Sequence, residues 1–167
     1  MLTNERTMLT TKDIALISVM LAVIEIAKFA LSFIAGVELV TLLFIVYTLF
    51  FKKKMMYFLP AYLLIEGIFN GFGIWWFMYV YIWTILVVIT YLFRKHQSIW
   101  FWSILSGLFG LLFGLLCSPV YLFVGGTQMM ISWWISGLPT DIVHGISNFI
   151  VCMILFIPLK KILSKIR

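Results

Sequence analysis

The sequence predicts an all-α membrane protein of six transmembrane helices with both termini in the cytoplasm, and three observations lead there. The chain is 64% hydrophobic, 18% aromatic and only 11% charged, where a soluble domain is about a quarter charged. Apolar runs recur at lengths near the roughly 20 residues that cross a bilayer as a helix. The third observation is where the charge sits. Arg6 and Lys12 precede the first apolar run, and Lys52, Lys53 and Lys54 follow the second. Arg94 and Lys95 follow the fourth, and Lys160, Lys161, Lys165 and Arg167 close the chain. The alternate connections carry no lysine or arginine, so every basic loop falls on one side. That is the positive-inside rule, and it sets orientation as well as class.

The spans follow in order within a single integral membrane domain, residues 1–167. The first covers 13–33, with Thr10 or Thr11 as cap and Asp13 at the positive end of the helix. Gly36 and Val37 turn the chain into a second span over 38–51, short enough to require tilt or burial among other helices. The third, 55–70, carries Pro60 early enough to bend without breaking. Gly71 and Gly73 lead to the fourth, 74–93. The fifth, 99–117, has Gly107, Gly110 and Gly114 at spacings that let helix backbones approach closely in lipid. Ser118 and Pro119 end it, and 120–138 forms the longest outer segment. The sixth, 139–163, begins at Pro139, a residue suited to a first helical turn. There is no internal repeat.

Composition also excludes functions. Six spans leave no room for a soluble catalytic or nucleotide-binding domain in 167 residues. A net charge of +6 could suggest nucleic acid, but the charges flank apolar runs and face anionic lipid headgroups instead. Cys117 and Cys152 lie inside apolar stretches without metal or redox spacing. The N-terminus reads as uncleaved, because the first run is of full span length with no small-residue cleavage site. No glycine loop with a phosphate-binding lysine is present. No metal site or cofactor is expected. An Asp141–His144 acid–base pair lacks a nucleophile placed by sequence, so no enzyme activity is expected.

Polar residues inside a membrane are costly and face a cavity or each other. Asp141, His144 and Asn148 are three and four residues apart, on one helix face at outer depth. Glu66 and Asn70 repeat that pattern on the third span. Both sets fit either a polar seam between helices or the wall of an outward-facing site. Trp75, Trp76, Tyr79, Trp133 and Trp134 gather at the same depth with Gln128. They suit an interfacial aromatic belt or flat walls for a planar ligand. Trp100 and Trp102 read as anchors at the inner surface. Lys28, alone outside the basic clusters, can pair with Glu25 three residues before it, with Glu38, or with a ligand.

Two stretches then carry a resemblance: T-K-D-I-A-L-I-S-V-M-L-A-V in the first span and W-W-I-S-G-L-P-T-D-I-V-H-G-I-S-N-F before and within the sixth. With size and span order, they make the chain similar to the substrate-binding S components of energy-coupling factor (ECF) vitamin transporters. The resemblance implies a high-affinity binding subunit of a prokaryotic cell membrane. On that resemblance it would take up a small vitamin-like heterocycle with a transmembrane coupling subunit and two cytoplasmic ATPases. It implies an outer binding site in the region of Glu66, Asn70, Trp133, Asp141, His144 and Asn148, to which the aromatic and polar cluster above adds Trp75, Tyr79, Gln128 and Trp134 as candidate lining. It also implies that the first span docks the coupling subunit through small residues, here Ala15, Ser18 and Ala22, with serine where the family carries alanine. The four acidic residues Glu25, Glu38, Glu66 and Asp141 against Lys28 favour a neutral or cationic ligand over a polyanion. The competing reading is a small polytopic scaffold of a cell-envelope complex, with the polar face as a protein–protein seam.

Overall fold

The computed structural model describes residues 9–34 and 36–166. Arg6 and Arg167, two of the basic residues in the charge pattern, lie outside the described residues. The described chain is helical, with no strand. In order come α1 (Thr11–Leu31), α2 (Val40–Phe51), a 3-10 turn over Lys52–Lys54, α3 (Met55–Asn70) and α4 (Ile74–Leu92). They are followed by α5 (Ile99–Leu111), α6 (Phe113–Cys117) and α7 (Pro119–Ile166). Three helices are long and apolar enough to cross a membrane: Thr11–Leu31, Ile74–Leu92 and Pro119–Lys165.

Local chemistry accounts for several boundaries. Thr10 caps α1 in a reciprocal box: its hydroxyl accepts from the Asp13 N–H at 3.2 Å, and Asp13 Oδ2 accepts from the Thr10 N–H at 3.1 Å. α3 continues through Pro60 and stops at Gly71, whose φ of 81° suits only glycine without strain. Between α5 and α6 the helix loosens at Leu112 for a single residue. Pro119 then opens α7, where its missing N–H costs nothing.

The last helix departs from the sequence-based boundary. α7 leaves helical geometry only at Gly125 and Gly126, and from 127 onward it passes through Pro139 without interruption. Pro139 therefore sits inside a helix, and most of the expected outer segment is helical. At 1.5 Å per residue the stretch 127–166 is about 60 Å long, about twice the hydrocarbon thickness of a bilayer. Tyr121 stacks on Trp133 with ring centroids 4.8 Å apart, folding the short helix before Gly125 back onto the long one.

α2 is the hub. Every residue from Val40 to Thr48 is buried, and α1, α3, α4, α5 and α7 all pack on it. Twelve residues are about 18 Å of helix, too short to cross a bilayer alone, but a helix enclosed by others need not match the lipid. Phe44 at its centre stacks on Trp83 at 4.7 Å and meets Tyr62 edge-on at 5.1 Å. α5 packs extensively on α7. A Cβ on Gly107 would meet the Gly145 carbonyl at 3.2 Å, and one on Gly110 would meet the His144 carbonyl at 2.8 Å. The glycine spacing of the fifth span thus serves backbone approach to α7.

The outside of the bundle is apolar. Phe29 is 74% exposed, Phe77 61% and Ile154 63%, with many aliphatic neighbours. A soluble protein does not present so extensive an apolar surface to water, and lipid is its natural solvent. The described basic clusters gather at one end of the bundle. Lys54 pairs with Asp13 at 2.6 Å, Lys160 donates to Gln97 at 2.8 Å, and Lys52, Arg94 and Lys160 border one groove. Lys28, Glu38, Glu66 and His144 lie at the other end, where the loop between α1 and α2 meets α7 through a 2.5 Å bond from Ser147 Oγ to the Gly36 carbonyl.

Candidate functional site

At that second end lies a cavity of about 330 Å³ between α1, the following loop, α2, α3, α4, α6 and α7. Its walls are aromatic: Tyr62 from α3, Tyr79 and Trp83 from α4, and Phe113 from α6. Tyr79 meets Trp83 edge-on at 5.7 Å and Phe113 at 6.4 Å, so the rings brace each other. Its polar groups are Lys28, Ser32, Glu38 and His144.

The charged groups form two ties. Lys28 on α1 reaches Glu66 on α3, a residue only 2% exposed, and Glu25 at 3.4 Å. Glu66 also accepts from Asn70 Nδ2 at 3.0 Å. The Lys28 ammonium lies 5.9 Å from the Tyr62 ring centre. In the second tie Glu38 accepts from the Thr41 N–H at 2.9 Å, capping the start of α2, and meets His144 Nε2 at 3.3 Å. The His144 ring packs on Phe113 with centroids 5.3 Å apart. One donor is left over: Trp83 is 3% exposed and its indole N–H has no hydrogen-bond partner. An unpaired buried donor is costly, and Trp83 lines the cavity, where a ligand acceptor could take it up.

The sequence-selected residues divide. Tyr79 and His144 line the cavity, and Glu66 and Asn70 join it through Lys28. Asp141 does not line it: its Oδ1 accepts from the Gly114 N–H at 3.1 Å, at the loosened junction of α5 and α6. Asn148 donates to Thr41 Oγ1 at 3.3 Å in the helix interior. Asp141 and His144 are thus engaged with different partners. Trp75 packs on Tyr79 at 5.2 Å behind the wall. Gln128, Trp133 and Trp134 are outside the cavity lining, with Gln128 exposed and the two tryptophans half-buried. On α1, Ala15, Ser18 and Ala22 are all exposed, and the Ser18 hydroxyl is satisfied by the Ile14 carbonyl at 3.0 Å within its own helix.

Sequence reasoning did not select Tyr62, Trp83, Phe113 or Ser32. Two of them had a signal. Tyr62 is four residues before Glu66, and Trp83 four after Tyr79, each one helical turn along a face already chosen. Phe113 and Ser32 had none, because their position depends on the helix packing.

The arrangement is a polar-edged aromatic cavity that can bind a small ring. Three carboxylates, one ammonium and one imidazole surround aromatic walls, and among the described residues no group of three or more His, Cys, Asp or Glu side chains could hold a metal ion. No family model, curated protein or solved structure matches the chain.

Proposed function

We propose that this protein is a six-span substrate-binding subunit of a prokaryotic cell membrane, similar to ECF S components. It takes a small heterocyclic micronutrient into the cavity beside Tyr79 and His144, from the outer face. Both termini are cytoplasmic, and a coupling subunit with two ATPases supplies the energy for release inside.

The observation that carries this reading is the cavity. It lies at the end of the bundle away from the basic clusters, which the positive-inside rule assigns to the cytoplasm. Its volume of about 330 Å³ is at the small end of ligand sites. Four aromatic rings, two charged ties and the unpartnered Trp83 N–H match a planar ligand with a few polar atoms. Glu25, Glu38 and Glu66 against Lys28 and His144 favour a neutral or cationic ring system. Supporting the transport role, the small residues Ala15, Ser18 and Ala22 leave an accessible stripe on α1, as close docking of another membrane helix requires.

The test is native mass spectrometry of gently purified protein, followed by a competition panel in nanodiscs. The expected result is a retained small heterocycle, displaced by neutral or cationic vitamins and poorly by polyanionic ones. If a polyanionic vitamin bound tightest and Lys28→Ala barely affected it, the charge assignment would fall. If no ligand bound and envelope-synthesis proteins co-purified instead, the scaffold reading would replace this one.

A further inference from the structure

We infer that the basic end of the bundle holds a specific site for one anionic phospholipid, recognised through its phosphodiester headgroup. The groove there is larger than the outer cavity, about 920 Å³. Five cationic side chains border it from three separate parts of the chain: Lys52 after α2, Arg94 and Lys95 after α4, and Lys160 and Lys161 on α7. Among the described residues no carboxylate lines it. Among the described acids, Asp13 pairs with Lys54, while Glu25, Glu38, Glu66 and Asp141 are held by the contacts described above.

The internal contacts of these cations are with neutral groups. Lys160 donates to the Gln97 amide oxygen at 2.8 Å. Arg94 donates to the Tyr91 carbonyl at 2.9 Å and lies 4.0 Å from the Tyr91 ring centre. Lys52 is further distinguished by its backbone, at φ 40° and ψ −102°, in the half of conformational space that ordinarily needs glycine. Such strain persists where surrounding structure or function holds it. Gathering five like charges is itself unfavourable, and an anion among them relieves it.

The apolar part of the groove selects the kind of anion. Leu49, Phe50 and Ile157 present apolar surface in it beside the cations, and the buried Trp102 and Phe156 form the packed wall behind them. Trp102 is fully buried, stacks on Phe156 with centroids 6.3 Å apart, and is fixed by its N–H to the His96 carbonyl at 3.1 Å. A free phosphate or an acidic peptide satisfies the cations and leaves this apolar surface unmatched. A phospholipid matches both, with its headgroup among the lysines and its acyl chains along the helices. Basic pockets between membrane helices are suited to such headgroups. This site is separate from the outer cavity and does not depend on the function proposed for it.

The experiment titrates the full chain, purified free of lipid in neutral detergent, with four probes: short-chain phosphatidylglycerol, short-chain phosphatidylcholine, inorganic phosphate and polyglutamate. Native mass spectrometry reads stoichiometry and thermal unfolding reads affinity. One phosphatidylglycerol should bind and raise the unfolding temperature, with phosphatidylcholine and phosphate far weaker. The pair Lys52→Gln and Lys160→Gln should weaken it about 30-fold, from about fivefold per lysine. Lys53→Gln, basic but outside the lining, should leave binding unchanged, and Lys160→Arg should retain it. Folding of each variant is checked by its lipid-free unfolding transition. Equal binding of phosphatidylcholine, or loss of binding with Lys53→Gln to the same extent, overturns the site. Phosphate binding as tightly as the lipid reduces it to a free-anion site, and tighter binding by polyglutamate reassigns it to an acidic protein partner.

Discussion

His144 stands between Asp141 and Asn148 on one helix yet serves a different neighbour. Seven residues are about 700° of helical rotation, so Asp141 and Asn148 align within about 20°, while His144 is about 60° off that line. The offset turns His144 to Glu38 and the cavity. Asp141 and Asn148 face Gly114 and Thr41. Separable effects follow. His144→Ala and Glu38→Ala should weaken ligand binding by about 5- to 150-fold, the equivalent of about 1–3 kcal/mol. Asp141→Ala strands the buried Gly114 N–H and should cost about 1–3 kcal/mol of stability, with a smaller change in affinity. Calorimetry with the retained ligand and thermal unfolding read the two effects apart. Equal loss of affinity across all these variants would mean that the seam and the site are one unit.

At the scale of elements, the contact of α5 with α7 depends on what is missing from its side chains. A methyl group on Gly110 meets the His144 carbonyl at 2.8 Å, and one on Gly145 meets the Gly107 carbonyl at 3.0 Å. Backbone cannot yield as a flexible side chain can, so Gly110→Ala and Gly145→Ala should each destabilise by about 1–3 kcal/mol. Gly137, on the same long helix, has nothing within 4 Å of an added methyl. Gly137→Ala should be neutral or stabilising by up to about 1 kcal/mol. Thermal unfolding in one detergent ranks the three, and a Gly137→Ala loss as large as that of Gly110→Ala would contradict the packing account. α1 is governed by the opposite property, its free face. If α1 docks a coupling subunit as proposed, Ser18→Trp or Ala22→Trp should leave folding and ligand binding intact and abolish uptake in cells that carry such a partner. Persistent uptake with both substitutions would place the docking face elsewhere.

At the scale of the molecule, the proposed topology puts Lys95 and Phe33 on opposite sides of the membrane. Cys117 and Cys152 are buried, so the native background to a membrane-impermeant thiol reagent should be low. Phe33→Cys, at a position 83% exposed in the loop after α1, should label from outside intact cells. Lys95→Cys should label only after the membrane is opened. Labelling of both from one side would refute the alternation of basic and uncharged loops as a topology signal for this chain. The same scale shows how far the sequence was legible. The helices before Phe113 fall close to the apolar runs, because hydropathy and glycine turns act locally. The start of the last helix was misplaced at Pro139, since a proline can sit inside a helix when neighbouring groups satisfy the freed carbonyl. The helical geometry breaks instead at the adjacent glycines Gly125 and Gly126.

The sequence by itself determined the helical class, the apolar character of the helices, the clustering of basic charge and the helical spacing of Asp141, His144 and Asn148. Each follows from residue type and helical period, which need no knowledge of neighbours. Tertiary structure alone decided that α2 is enclosed, that Lys28 reaches Glu66 as well as Glu25, and that Glu38 meets His144 across 106 positions of chain. It also drew Tyr62, Trp83 and Phe113 into one cavity and left Gln128, Trp133 and Trp134 outside it. The physical reason is that a helical period states which residues share a face, while the partner that face meets depends on how helices distant in sequence pack.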